Sequence, residues 1–191
     1  MKNRVILLIG GLLIFFSIFA MESSNKISSS NSKEKEVAMH VNKAMGLEKE
    51  KKYSEAELEI DKAIAINNDL HQLYLQKGVI QKKMGKLDEA ILTINSALKL
   101  VGSALGYETL GDVYTEKHEN QKAIDSYNKA ISQYGTRKIK DPGYFNAMKV
   151  ELYIKIINIL VGENRKHEAR GVLDKALEEN PGSKQLKDKM I

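Results

Sequence analysis

Residues 104–131, ALGYETLGDVYTEKHENQKAIDSYNKAI, decide how this chain folds. Tyr107, Leu110, Gly111 and Tyr114 stand at helical steps, and after a short polar break Ala123, Tyr127, Ala130 and Ile131 do so again. The second set is spaced 0, 4, 7 and 8, which is one face of a helix. The same pattern recurs as Ala56, Ile60, Ala63, Ile64, as Ala90, Ile94, Ala97, Leu98, and as Ala169, Leu173, Ala176, Leu177. The leading alanines lie 34, 33 and 46 residues apart. A repeat of that length marks a stacked array of small helical units. Alanine on the shared face lets a neighbouring helix backbone approach closely.

Each copy has a partner helix upstream. The partners carry Tyr74 with Gly78, the Tyr107 set, and Tyr153 with Ile156 and Leu160; the first is degenerate, with His40, Ala44 and Leu47. With Tyr for the usual Trp, the 107–131 unit resembles the tetratricopeptide repeat. The resemblance covers roughly residues 37–183. It implies an all-α fold, a right-handed superhelix (α-solenoid) of about four helix pairs. Helices are expected near 36–50, 53–67, 71–84, 87–100, 104–117, 120–134, 142–162 and 166–179, with 184–191 as a solvent-facing C-terminal cap. Pro181 keeps the family's closing proline, and Asn68, Gly102 and Gly135 take its place elsewhere. Lys43 and Lys77 replace the family's usual Leu, which predicts looser packing in the first two units. The wide final spacing falls in TRKIKDPGYFNAM. There Asp141 as a cap and Pro142 in the first turn predict a fourth first-helix lengthened by about two turns. This helix is unusually apolar. It reads as a core element packed on both neighbours, with a self-association or partner surface as the alternative.

Ahead of the repeats lie Lys2 and Arg4, then Val5–Met21, VILLIGGLLIFFSIFAM, 17 residues without a charge. As a helix this run measures about 25 Å, at the edge of what spans a hydrocarbon core of about 30 Å. Residues 1–21 are expected to form a single apolar helix, either a signal anchor or a cleaved signal peptide. Residues 22–36, rich in Ser, Asn, Lys and Glu, read as a flexible linker. The expected localisation is a single-pass membrane protein with an extracytoplasmic body, or a secreted one if the signal is cleaved.

Composition narrows the function classes. The chain of 191 residues has no Cys, which excludes disulfides, thiolate metal sites and a Cys nucleophile. Its net charge of +5 is spread over interspersed Lys and Glu, without the clustered basic stripe of a nucleic-acid binder. His40, His71, His118 and His167 form no metal-binding pair at helical spacing. The glycines at 10–11 and in GSALG (102–106) lack the strand and Lys-Ser/Thr of a phosphate loop. No catalytic set, metal site or cofactor is expected, and the chain reads as non-enzymatic.

The resemblance places a site on the concave surface lined by the first helix of each pair. Helical spacing then selects Val41, Met45, Leu75, Val79, Glu108, Asp112, Ile154 and Asn158. These imply a groove for a protein or peptide partner with apolar anchors and a basic residue. The basic clamp by which some relatives hold a C-terminal carboxylate has no counterpart, since Val41, Met45, Gln76, Leu105 and Thr109 occupy the matching positions. The expected role is a protein–protein interaction scaffold at a membrane surface. Two alternatives are an accessory subunit that positions an enzyme and a self-associating structural protein that uses the 142–162 helix.

Overall fold

A computed structural model describes residues 31–135 and 142–189. The apolar run 5–21 and the capping residue Asp141 lie outside the described residues. Within them the chain is helical and contains no strand. Helix α1 covers 31–49. It is followed by α2 (Tyr53–Ile66), α3 (His71–Lys83), α4 (Leu87–Leu100), α5 (Ala104–Glu116), α6 (Asn120–Gly135), α7 (Pro142–Gly162), α8 (Lys166–Glu179) and the short α9 (Lys184–Lys187). Consecutive helices pack on each other, and α3 also touches α5. The expected helices are therefore present, with ends shifted by a residue or two except at the start of α1, which begins five residues early. Residues 31–36, read as the end of a flexible linker, instead continue α1 and are fully exposed. They extend a helix whose buried side begins only at Val37.

The repeat alanines are the seam of the fold. Ala56, Ala63, Ala90, Ala97, Ala123, Ala130, Ala169 and Ala176 are all at most 1% exposed. Four core clusters succeed one another along the chain, so each unit is stabilised by its neighbours. The first joins Val37, Ala63 and Leu73. The second joins Ala44, Ala56, Ile60 and Ile80. The next joins Leu75, Ala90, Ile94, Leu110 and Val113. The largest joins α6 to α7, α8 and Leu186 of α9. Hence α9 is not merely solvent-facing: Leu186 is fully buried, and Ser183 caps the helix by accepting from the Leu186 amide at 3.4 Å. The apolar residues of α7 are used within this chain, since Val150, Leu152, Tyr153, Ile156, Ile157 and Leu160 are all buried.

Each pair turns on one left-handed residue: Lys51, Gly85, His118 and Asn164, with φ between 60° and 75°. They recur at the intervals of the alanines. At each turn the following amide reaches back five residues, as in Lys52 N to Leu47 O (2.9 Å), Lys86 N to Gln81 O (3.0 Å), Glu119 N to Tyr114 O (2.9 Å) and Arg165 N to Leu160 O (2.8 Å). This is the helix-closing pattern that glycine usually serves, and here three of the four residues are not glycine. The other turns work differently. Helices α2, α4 and α8 close through Asn67 and Val101, which are extended, and Asn180, which is not, and their amides bond to the carbonyls of Ala63, Ala97 and Ala176. Asn68 and Gly102, expected as terminators, therefore lie one residue beyond the closing position.

The two lysines that replace Leu are accounted for by a polar seam in the first two units. Glu59 on α2, only 4% exposed, accepts from Lys62 (2.8 Å), Lys43 (2.9 Å) and His40 Nδ1 (2.7 Å). Lys77 pairs with Asp61 at 2.7 Å. Donors from Lys62, Lys43 and His40 hold the Glu59 carboxyl down at about 2.

Candidate partner-binding site

The first helices α3, α5 and α7 do not offer their predicted residues equally. Leu75 is 6% exposed and lies in the cluster that contains Leu110 and Val113 of α5. It is an anchor of the stack rather than of a ligand. Val41 is half-buried against the first clusters, and Ile154 against the largest one. Val79 is also half-buried, while Met45 and Asn158 are exposed. The predicted positions thus do not form one continuous apolar groove. Periodicity selects a face of a helix, and the next repeat covers part of that face.

What the fold does assemble is a cleft of about 550 Å³ between α5 and α7, floored by α6. Asp112, Thr115 and Glu116 come from α5, Tyr127 from α6, and Lys155, Asn158 and Ile159 from α7. Two predicted residues, Asp112 and Asn158, are in its wall, and Glu108 adjoins it through Lys155. Helical spacing does not select the other five lining residues, Thr115, Glu116, Tyr127, Lys155 and Ile159. Lys155 lies one position past Ile154, on the face that α5 meets.

The floor is tightly specified. A β-carbon on Gly111 would lie 2.5 Å from Cε1 and 2.6 Å from Cδ1 of Tyr127, so glycine there lets the ring pass under α5. The Tyr127 hydroxyl donates to Asp112 Oδ1 at 2.8 Å and lies 3.0 Å from Thr115 Oγ1. Burial pushes the phenol well above its ordinary range, with the neighbouring Asp112 and Glu108 charges adding to the shift. Lys155 Nζ donates to Asp112 Oδ1 (2.9 Å) and Glu108 Oε1 (3.0 Å), and stands 5.4 Å from the Tyr127 ring centroid. Burial lowers the ammonium's pKa, but the bonds and charges of Asp112 and Glu108 outweigh it, and the net shift is upward. Asn158 Oδ1 accepts from Lys189 at 2.9 Å. Glu108, Asp112 and Glu116 bring three carboxylates against two cations, Lys155 and, at the wall residue Asn158, Lys189. The cleft therefore favours a cationic guest, with Ile159 and the Tyr127 ring as its apolar surface.

A smaller hollow of about 330 Å³ lies between the start of α7 and the α8–α9 turn, lined by Asn146, Val150, Asn180, Ser183 and Gln185 among others. Among the described residues no group of three or more His, Asp or Glu is placed to hold a metal ion. None of the described helices is long and apolar enough to cross a membrane.

Comparison with known proteins gives a family and a fold. The family profile of the CadC C-terminal domain matches residues 23–141, more than half of the chain. Among curated proteins, the mitochondrial import receptor subunit TOM70 of Rattus norvegicus and of Mus musculus are each 30% identical over 91 residues. That stretch is 47% of this chain and only 15% of the relative. A tetratricopeptide repeat protein from Parabacteroides merdae superposes with a TM-score of 0.64 at 22% identity, covering 81% of this chain and 57% of that one. MamA superposes with a TM-score of 0.59 at 18% identity over 76% of this chain and 79% of its own. MamA 41-end from Desulfovibrio magneticus RS-1 gives 0.61 at 15% identity, over 78% and 77%. The chain is thus an all-helical solenoid of the tetratricopeptide-like kind.

Proposed function

We propose, from the premise that this chain belongs to the CadC C-terminal domain family, that it is a non-enzymatic interaction scaffold presented at a membrane surface. The N-terminal apolar run 5–21 serves as the tether, and the repeat body holds a partner protein. The site is the α5–α7 cleft, and the partner segment carries a Lys or Arg beside an apolar residue. One observation carries this reading: Asp112, Glu116 and the adjoining Glu108 outnumber Lys155 and Lys189 around the cleft that Tyr127 floors and Ile159 lines. Like-charge partners are rejected there, which gives selectivity as well as attraction. The likeness to a receptor subunit over 91 residues supports a role in recognition. The self-association alternative would have to use what α7 leaves outside the core, such as Val161 at 39% exposure.

The test is fluorescence anisotropy of dye-labelled peptides on the full chain. A Leu/Lys peptide is expected to bind and its Leu/Glu counterpart to bind much more weakly. Glu116→Lys is the cleaner charge reversal, because Asp112 also fixes Tyr127 and Lys155. It should weaken the Leu/Lys peptide and leave the helical content unchanged. Equal binding of both peptides, or no effect of Glu116→Lys, would remove the cleft from the account.

A further inference from the structure

The two long edges of the repeat stack differ in character. At one edge are the turns within each pair, residues 48–57 and 82–89, dense with Lys, Glu and Asp. At the other are the turns between pairs. In the first two of these, 64–72 and 98–106, the only formal charges are Asp69 and Lys99, whereas the sequence of the third, 132–144, carries Arg137, Lys138, Lys140 and Asp141. This second edge exposes Leu70 (36%), Leu100 (44%), Val101 (43%) and Leu105 (58%). Isolated surface leucines need no explanation, but four exposed apolar residues on two neighbouring turns with little charge mark an interaction surface over that part of the edge.

The start of α1 lies at this same edge. Val37 packs with Ala63, Ile66 and Leu73, hence beside the end of α2 and the start of α3. The end of α4 likewise abuts the start of α5, since a β-carbon on Gly106 would sit 2.7 Å from Leu98 Cδ2. The chain therefore enters the body from the low-charge edge. Met21, the last residue of the apolar run, precedes residue 31 by ten residues, a reach of at most about 35 Å.

We infer that this edge, with Leu70, Leu100, Val101 and Leu105, rests on the lipid bilayer to which the chain is tethered. The inference depends on the tether reading and adds an orientation to it. The exposed helical residues 31–36 add about 9 Å beyond Val37, comparable to the roughly 5–8 Å headgroup layer on one side of a bilayer. Residues 31–36, with Lys33 and Lys35, then lie in the headgroup layer, and the leucines, set back from residue 31, meet its outer surface. The charged edge faces away from the lipid.

Because the chain contains no Cys, single-cysteine variants report without background. Leu70→Cys, Leu105→Cys and, at the charged edge, Lys49→Cys each carry one dye. The full chain is reconstituted into phosphatidylcholine vesicles doped with lipid spin-labelled near the headgroup. Dyes at 70 and 105 should be quenched about twofold or more over the dye at 49, given an edge seated against the spin-labelled headgroups. Sedimentation with the vesicles but equal quenching at all three sites overturns the orientation and leaves the tether intact. A chain that stays in the supernatant removes the tether reading, and this inference with it.

Discussion

Replacing Gly111 with alanine puts a methyl group 2.5–2.6 Å from two ring carbons of Tyr127. The ring has little room to retreat, since Tyr127 is 2% exposed and its hydroxyl is bonded to Asp112 at 2.8 Å. Overpacking of this kind costs about 1–3 kcal/mol. Against it stands the helix-propensity gain of alanine over glycine, about 1 kcal/mol. With a constrained ring the upper part of the first range applies, so the net loss is about 1–2 kcal/mol. Gly171, exposed in the middle of α8 with nothing within 4 Å of an added β-carbon, isolates the propensity term and should gain about 1 kcal/mol. The two glycine-to-alanine changes should therefore differ by about 2–3 kcal/mol in urea unfolding followed by circular dichroism. Tyr127→Leu closes the cycle: without the ring, Gly111→Ala should become neutral or stabilising. Equal effects at 111 and 171, or a cost that survives Tyr127→Leu, would refute the close approach of α5 to Tyr127.

Three further expectations follow from the same contacts. Glu59 is held at about 2, below the ordinary 4.5, so its contribution to stability is present above pH 4.5 and is lost as pH falls toward 2. Glu59→Gln should flatten that acid limb in urea midpoints measured across the range, and an unchanged limb would contradict the polar seam. Lys155→Met leaves Glu108 and Asp112 without their shared cation, which should cost about 1–3 kcal/mol in urea unfolding while raising affinity for a Leu/Lys peptide. Ser103 accepts from the Gly106 amide at 3.1 Å at the start of α5, and Ser103→Ala should cost about 1 kcal/mol by the same assay.

The alanine and tyrosine periodicity made the fold legible, because a buried seam leaves its spacing in the sequence. It located α2 to α8 closely and foresaw the long α7. The turns were less legible. Of the left-handed residues only Gly85 announces its conformation, whereas Lys51, His118 and Asn164 adopt it because the closing amide bond demands it. Lys43 and Lys77 were visible as departures from a pattern, but their partners Glu59 and Asp61 lie 16 residues away on the facing helix. The site was legible only in part. Spacing found Glu108, Asp112 and Asn158, and it misjudged Leu75 because it cannot report which side of α3 is covered by α5. Lys155 was missed for a related reason. Its role comes from α5, more than 40 residues away in sequence, and no local signal records that meeting.

The scaffold reading is tested most directly by site-specific photocrosslinking from the full chain in intact membranes. A benzophenone side chain is introduced at Asn158 in the cleft wall or, as the control, at Gly171 on the outer face of α8. The account predicts a discrete protein adduct from position 158 and none from 171, with the captured segment carrying Lys or Arg beside an apolar residue. Equal adducts from both positions, or an Asp- and Glu-rich segment captured at 158, would contradict it.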